Sequence, residues 1–123
     1  MKFLITGGLG FIGTNLIKFL IDHYDHEILN LDKVTYASNF FNNKNFLNYK
    51  FYNFVKGDIS DKNLVKKLLE DFKPDFIMNL AAESHVDRSI SSPDAFVNTN
   101  ILGTYNLLIN ARDYWDNLSG AKK

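Results

Sequence analysis

Apolar positions along the chain fall into short runs that alternate with stretches of helical periodicity. Lys2–Thr6 (K-F-L-I-T) is an apolar run closed by glycines, which predicts a buried strand. Over residues 11–21, Ile12, Leu16, Phe19 and Leu20 recur at helical spacing and predict an amphipathic helix. Glu27–Asp32 (E-I-L-N-L-D) predicts a second strand, residues 51–56 a third and residues 75–80 (D-F-I-M-N-L) a fourth. Residues 35–50 are rich in Asn and Phe without a clean period, and read as a long loop with room for a short helix. Residues 61–72 predict a helix capped by Ser60, with Leu64, Val65, Leu68, Leu69 and Phe72 on one face and Lys73-Pro74 as its stop. Ser92-Pro93 opens a long helix to about residue 113, with Val97, Ile101, Tyr105, Leu108 and Arg112 along a stripe. Strands alternating with helices in this way predict an α/β protein, a parallel sheet with helices on its faces.

The chemistry begins where the first strand meets the first helix, at Thr6-Gly7-Gly8-Leu9-Gly10-Phe11-Ile12-Gly13. Glycines there let the chain turn tightly, let backbone approach a pyrophosphate and let helix pack close to strand. The helix N-terminus adds free N–H groups and a partial positive charge. The run satisfies two spacings, Gly8-Gly10-Gly13 and Gly7-Gly10-Gly13. The first is the general dinucleotide fingerprint and the second the short-chain dehydrogenase form. A glycine pattern alone is equally a tight turn; the flanking strand and helix favour the dinucleotide. Asp32 ends the second strand 19 residues beyond Gly13, where a carboxylate accepts from the adenosine ribose hydroxyls. It opposes a 2′-phosphate and so favours NAD over NADP, although the adjacent Lys33 tempers this. Gly57-Asp58-Ile59 follows the third strand. Asp58 there is placed either to accept from an adenine amino group, with Ile59 packing on the ring, or simply to serve a loop. The expected fold is a Rossmann-type doubly wound parallel sheet of about four strands in the order 3-2-1-4, incomplete, with three main helices.

The run Asn79-Leu80-Ala81-Ala82-Glu83-Ser84-His85-Val86-Asp87-Arg88-Ser89 leaves the fourth strand, and its small Ala81 and Ala82 let a cofactor lie against backbone. With this run the whole chain resembles the N-terminal third of dTDP-glucose 4,6-dehydratases, of the extended short-chain dehydrogenase/reductase type. The resemblance is carried by the glycine run, by Asp32-Lys33-Val34-Thr35-Tyr36-Ala37-Ser38-Asn39, by Gly57-Asp58-Ile59, by residues 81–90 and by Thr99-Asn100-Ile101-Leu102-Gly103-Thr104-Tyr105. Ser38 departs from it, since the family usually has glycine there.

The resemblance implies roles. Gly7, Gly10 and Gly13, with Phe11 and Ile12, would lie by the pyrophosphate. Asp32, Lys33, Val34 and Thr35 would bind the adenosine ribose, and Asp58 and Ile59 the adenine. Leu80, Ala81, Ala82, Glu83, Ser84 and Thr99 would line the nicotinamide side. Ser84, and less strongly His85, would touch the sugar nucleotide, dTDP-glucose. In that family NAD+ takes hydride from C4 of the glucose, water leaves across C5 and C6, and hydride returns at C6. The acid–base residues, a Thr-Asp-Glu run and a helical Tyr-x-x-x-Lys pair, belong to segments beyond Lys123. The chain is therefore expected to be the NAD-binding portion (residues 1–123), without the substrate domain, without catalytic residues and inactive alone. The runners-up are another UDP- or GDP-sugar epimerase or dehydratase, and a non-catalytic NAD-binding remnant. A homodimer is expected of the full-length enzyme.

Several other patterns are set aside. Tyr52-Asn53-Phe54-Val55-Lys56 has the letters of Tyr-x-x-x-Lys. On a helix such residues sit roughly 6 Å apart, but on a strand four steps span about 13 Å. Ser84, His85 and Asp87 are too close in sequence to line up as a hydrolase triad. Glu83, His85 and Asp87 alternate, but no supporting residues are identifiable and no metal site is assigned. His23 and His26 read as solvated. Acidic and basic residues number 14 each, so bulk charge gives no reason to expect a nucleic-acid or membrane-surface partner. Cysteine is absent, which removes disulfides and thiolate metal sites. The first strand begins at Lys2, leaving no room for a signal peptide, and no apolar run reaches membrane-spanning length; the expected location is the cytoplasm.

Overall fold

The computed structural model describes residues 1–118. Their contacts divide them into two compact units: residues 1–58 with 74–81, and residues 59–73 with 82 onwards.

The first unit is a parallel sheet with two helices. Its strands are β1 (Lys2–Thr6), β2 (Glu27–Asp32), β3 (Tyr52–Lys56) and β4 (Phe76–Asn79), in the order β3-β2-β1-β4. This is the Rossmann-type order expected. Ile5 faces Asn30 on one side and Met78 on the other, so β1 is hydrogen-bonded along both edges. Its apolar residues Leu4 and Ile5 are sealed from water, as a continuous apolar run in a parallel sheet requires. Helix α1 (Phe11–His23) turns Ile17 and Leu20 onto Ile5 and Ile28, and Phe46 of the short helix α2 (Phe40–Phe46) and Tyr52 complete that cluster. Each such side chain contributes about 1.5–3 kcal/mol by leaving water. Among the described residues β4 has only one neighbour, β1, and its Phe76 and Met78 are 49% and 38% exposed.

His23 is exposed, as expected, and His26 is half-buried; both rings also stack on aromatic neighbours. The His26 ring stacks between Phe3 (5.1 Å) and Tyr24 (5.1 Å), and His23 stacks on Phe19 one helical turn earlier. Aromatic side chains crowd the bottom of the sheet, and each imidazole offers a flat apolar face to them.

The second unit is helical. α3 (Lys62–Phe72) starts one residue later than the pattern suggests, and its cap is Asp61, not Ser60: the Asp61 carboxylate accepts from the Leu64 N–H at 3.0 Å. α3 stops at Lys73, which takes a left-handed backbone (φ +53°) ahead of Pro74. A short helix α4 (Val86–Ser91), not foreseen in the sequence, precedes α5 (Pro93–Phe96). From α5 the chain runs on through a π-helical segment (Val97–Gly103) into α6 (Thr104–Asp116), so the expected long helix is real but underwound in its first half. Its expected stripe is not core. Val97, Ile101, Tyr105 and Leu108 are each 45% exposed or more, whereas Gly103, Asn106, Leu107 and Asn110 are buried. The buried set recurs at i, i+3, i+4 and i+7 and packs on α3, where Val65 and Leu69 are buried in turn. Asn106 belongs inside because its amide donates to the Ile59 carbonyl at 2.5 Å.

Candidate functional site

At the top of β1 the glycine run is held in one conformation by the chain around it. The Gly7 N–H donates to the Leu31 carbonyl (2.9 Å), and the Gly10 N–H to the Gly7 carbonyl (3.1 Å). Gly7 has φ +68°, and a Cβ on it would come within 2.5 Å of the Ala81 nitrogen, so both backbone angle and space demand glycine. A Cβ on Gly13 would overlap the Gly7 carbonyl, which is the close approach of helix to strand that the fingerprint requires. Around Gly10 the nearest obstacle lies at 3.4 Å, so the open side of the turn is there. Gly10 is also the cap residue of α1, and no side chain caps that helix. Its first N–H groups and partial positive charge are thus presented beside an open turn, with Phe11 (86%) and Ile12 (69%) exposed next to them.

The loop is anchored to β2 by two polar side chains. The Gly8 N–H donates to Asn30 Oδ1 (3.1 Å) and the Leu9 N–H to Asp32 Oδ2 (2.9 Å). Asn30 continues inward: its amide donates to the Tyr52 hydroxyl (2.9 Å), which donates to Asn43 Oδ1 on α2 (2.7 Å). Burial pushes the Tyr52 phenol up to about 12, with the Asn30 hydrogen bond lowering it and the Asp32 charge adding to the rise. Tyr52 and Lys56 lie on β3 as expected, so that pair of letters is part of the sheet.

Asp32 is 5% exposed, and its carboxylate is heavily used. Besides Leu9, the Val34 N–H (2.8 Å) and the Ser38 hydroxyl (3.0 Å) donate to its Oδ1. The Val34 contact holds a β-branched residue at φ +60°, a strained backbone of the kind that clusters at binding loops. Ser38, the departure from the family pattern, is accommodated without strain: outside glycine, only Val34 and Lys73 among the described residues have positive φ. Lys33 reaches Asp58, with Nζ 2.6 Å from Oδ2, so the cation beside Asp32 is already paired. The Gly57 N–H donates to the Asp32 carbonyl (3.0 Å), which brings the ends of β2 and β3 together. Leu80 and Ala81 complete this end of the unit. The Leu80 N–H donates to the Thr6 carbonyl (3.0 Å), and Ala81 lies against Gly7.

The remaining expected residues belong to the second unit. Ile59 is 3% exposed with its side chain against Gly103, so little of it is free to meet a ring. Glu83 is clamped by Asn100, whose side chain accepts from the Glu83 N–H (2.9 Å) and donates to the Glu83 carbonyl (2.8 Å). Ala82, Ser84 and His85 are exposed, and Thr99 is half-buried in the π-helical segment. His85 is the cap residue of α4 and Asp87 lies inside that helix, which breaks the alternation of Glu83, His85 and Asp87. Among the described residues no cluster of three His, Cys, Asp or Glu could hold a metal ion.

Sequence reasoning missed the hydrogen-bonding roles of Asn30, Asn43, Tyr52 and Asn100. Asn30 had a legible signal, a lone amide inside the apolar run E-I-L-N-L-D, where a buried polar group must have partners. Asn100 had none, because its partner is a backbone 17 positions away.

The chain matches a family model described as GDP-mannose 4,6 dehydratase over residues 4–122. It is 50% identical, over all 123 residues, to dTDP-glucose 4,6-dehydratase of Haemophilus influenzae and covers 36% of that protein. It is 47% identical over its whole length to the enzyme of the same name from Salmonella typhimurium, covering 34%. The chain therefore spans about a third of the length of the curated relatives it matches. Among solved structures it is similar to DesIV, a dTDP-glucose 4,6-dehydratase from Streptomyces venezuelae with NAD bound. The TM-score is 0.85 at 40% identity, covering 93% of this chain and 36% of that one. A UDP-glucose 4-epimerase from Thermus thermophilus in complex with NAD aligns with TM-score 0.79 at 31% identity, over 93% of this chain and 34% of that one.

Proposed function

Because this chain belongs to the GDP-mannose 4,6-dehydratase family, we propose that it is the NAD-binding portion of a dTDP-glucose 4,6-dehydratase. The observation that carries the reading is the identity of about half its residues, end to end, with an enzyme of that name. The epimerases are the more distant likeness, at 31% for the one compared.

The first unit suits the cofactor. Gly10 leaves the turn open on the side where α1 lacks a side-chain cap, so the loop can take a diphosphate on backbone N–H groups. Phe11 and Ile12 would flank it. Asp32, with Lys33, Val34 and Thr35, stands where the adenosine ribose would bind, Asp58 where the adenine would, and Leu80 and Ala81 beside the glycine turn. On the second unit, Ile59, Ala82, Glu83, Ser84 and Thr99 are assigned cofactor contacts on the strength of family likeness. Ser84 and His85 are assigned to the sugar nucleotide, dTDP-glucose, on the same ground. NAD+, when bound, supplies the hydride acceptor for sugar oxidation and the donor for the later reduction. The residues here hold and orient it and keep the glycine turn rigid. We place the full-length enzyme in the cytoplasm as a homodimer. The exposed Val97, Ile101, Tyr105 and Leu108 support the dimer, and no helix among the described residues is long and apolar enough to cross a membrane.

Calorimetric titration with both dinucleotides tests the reading. Asp32 opposes a 2′-phosphate and Lys33 is engaged by Asp58, so NAD+ should bind about tenfold or more tighter than NADP+. Asp32→Ala should erase the preference. Equal affinities for the parent chain would remove the assignment of Asp32.

A further inference from the structure

We propose that Ser38 sets the affinity for the adenosine ribose by competing with it for Asp32. The proposal deepens the NAD-binding reading and rests on it.

An Asp carboxylate offers about four acceptor positions, two on each oxygen. Three are taken. Oδ2 receives the Leu9 N–H at 2.9 Å, and Oδ1 receives both the Val34 N–H at 2.8 Å and the Ser38 hydroxyl at 3.0 Å. Oδ1 is full and Oδ2 has one place left. A ribose presents two neighbouring hydroxyls, and both can donate to the carboxylate only if one present donor yields. The Leu9 N–H is fixed by the glycine turn, and the Val34 N–H by a backbone at φ +60°. Only Ser38 donates through a rotor. Its oxygen is anchored, since it accepts from the Thr35 N–H at 3.0 Å while the Ser38 N–H donates to the Thr35 carbonyl at 3.0 Å. Its proton is free to turn. Because an Asp carboxylate is acceptor-only, that proton points at Oδ1 in the structure as it stands. Ser38 thus imitates a ribose hydroxyl from within the protein. Of the two acceptor positions that the backbone donors leave, Ser38 withholds one. Binding of the diol turns the serine proton away from a charged partner, which weakens the complex by the difference between the two hydrogen bonds.

Titrations of the 123-residue chain with NAD+ and with 2′-deoxy-NAD+ decide the matter. Ser38→Ala should tighten NAD+ binding roughly three- to tenfold. It should leave 2′-deoxy-NAD+ unchanged, because a single hydroxyl fits the free position on Oδ2. Ser38→Thr, which keeps the hydroxyl, should behave as the parent. Ser38→Gly serves as the second variant if Ser38→Ala melts early. Unchanged or weaker NAD+ binding in a folded variant overturns the competition, as does an equal gain for both dinucleotides. Failure of the underlying reading looks different: the parent then binds no NAD+, or Asp32→Ala binds as well as the parent, and the proposal falls with it.

Discussion

The two units differ in what their buried residues hold together. In the first, Leu4, Ile5, Ile17 and Ile28 are fully buried, and the polar side chains Asn30, Asp32 and Asn43 that join them inside are hydrogen-bonded. In the second, a few residues such as Ile59, Val65, Leu69 and Leu107 are buried, while Val86, Ile90, Ile101 and Leu108 are 61% exposed or more. The first unit spends its sequence on one fixed conformation of the glycine turn. The second keeps an apolar surface uncovered. Rigidity should therefore be sensitive to substitution in the first unit, and association in the second.

The largest effect is expected at the glycine turn. Gly7→Val needs a left-handed backbone that valine resists and drives a side chain into Ala81, so it should cost about 3 kcal/mol or more in urea unfolding. Ile101→Ser on the exposed helix should change stability by no more than about 0.5 kcal/mol. Similar losses for the two would abolish the contrast.

Tyr52→Phe comes next. It leaves the buried Asn30 amide and the Asn43 oxygen without their shared partner, at about 1–3 kcal/mol. The substitution also has a pH signature. A tyrosine of the unfolded chain loses its proton near 10, and the folded one near 12 because of its burial. The stability conferred by the neutral phenol is thus complete below pH 10 and is lost as pH rises towards 12, by up to about 2 kcal/mol. Unfolding midpoints of the parent should fall through that window and those of Tyr52→Phe should fall less. Parallel curves would show that the phenol titrates as freely as in the unfolded chain.

The smallest effect on stability, and the sharpest on behaviour, concerns association. β4 is an edge with exposed Phe76 and Met78, and the stripe of Ile101 and Tyr105 is also uncovered. Light scattering across a concentration series should show the chain self-associating. Met78→Lys and Tyr105→Ser should each reduce this while the melting temperature stays near that of the parent. A clean monomer at high concentration with a sharp cooperative melt would mean that both surfaces are less adhesive than their composition implies.

Much of this was legible in the chain itself. Apolar runs of strand length and glycines at a set spacing are local signals, because each reports a backbone demand within a few residues. They located β1, β2 and α1, the dinucleotide-type turn and the carboxylate at the end of β2. The tertiary structure decided what depends on distant partners. The cap of α3 turned on which of two adjacent residues could reach the Leu64 N–H. The helix from Pro93 buried asparagines and left its aliphatic stripe outside, and the Asn106 amide meets an Ile59 carbonyl 47 positions away, a partner that no local pattern records. The state of Asp32 was likewise beyond reading from sequence. That a carboxylate stood at residue 32 followed from spacing, but that Leu9, Val34 and Ser38 already occupied it depended on how three separate stretches of backbone converge, which no local periodicity records.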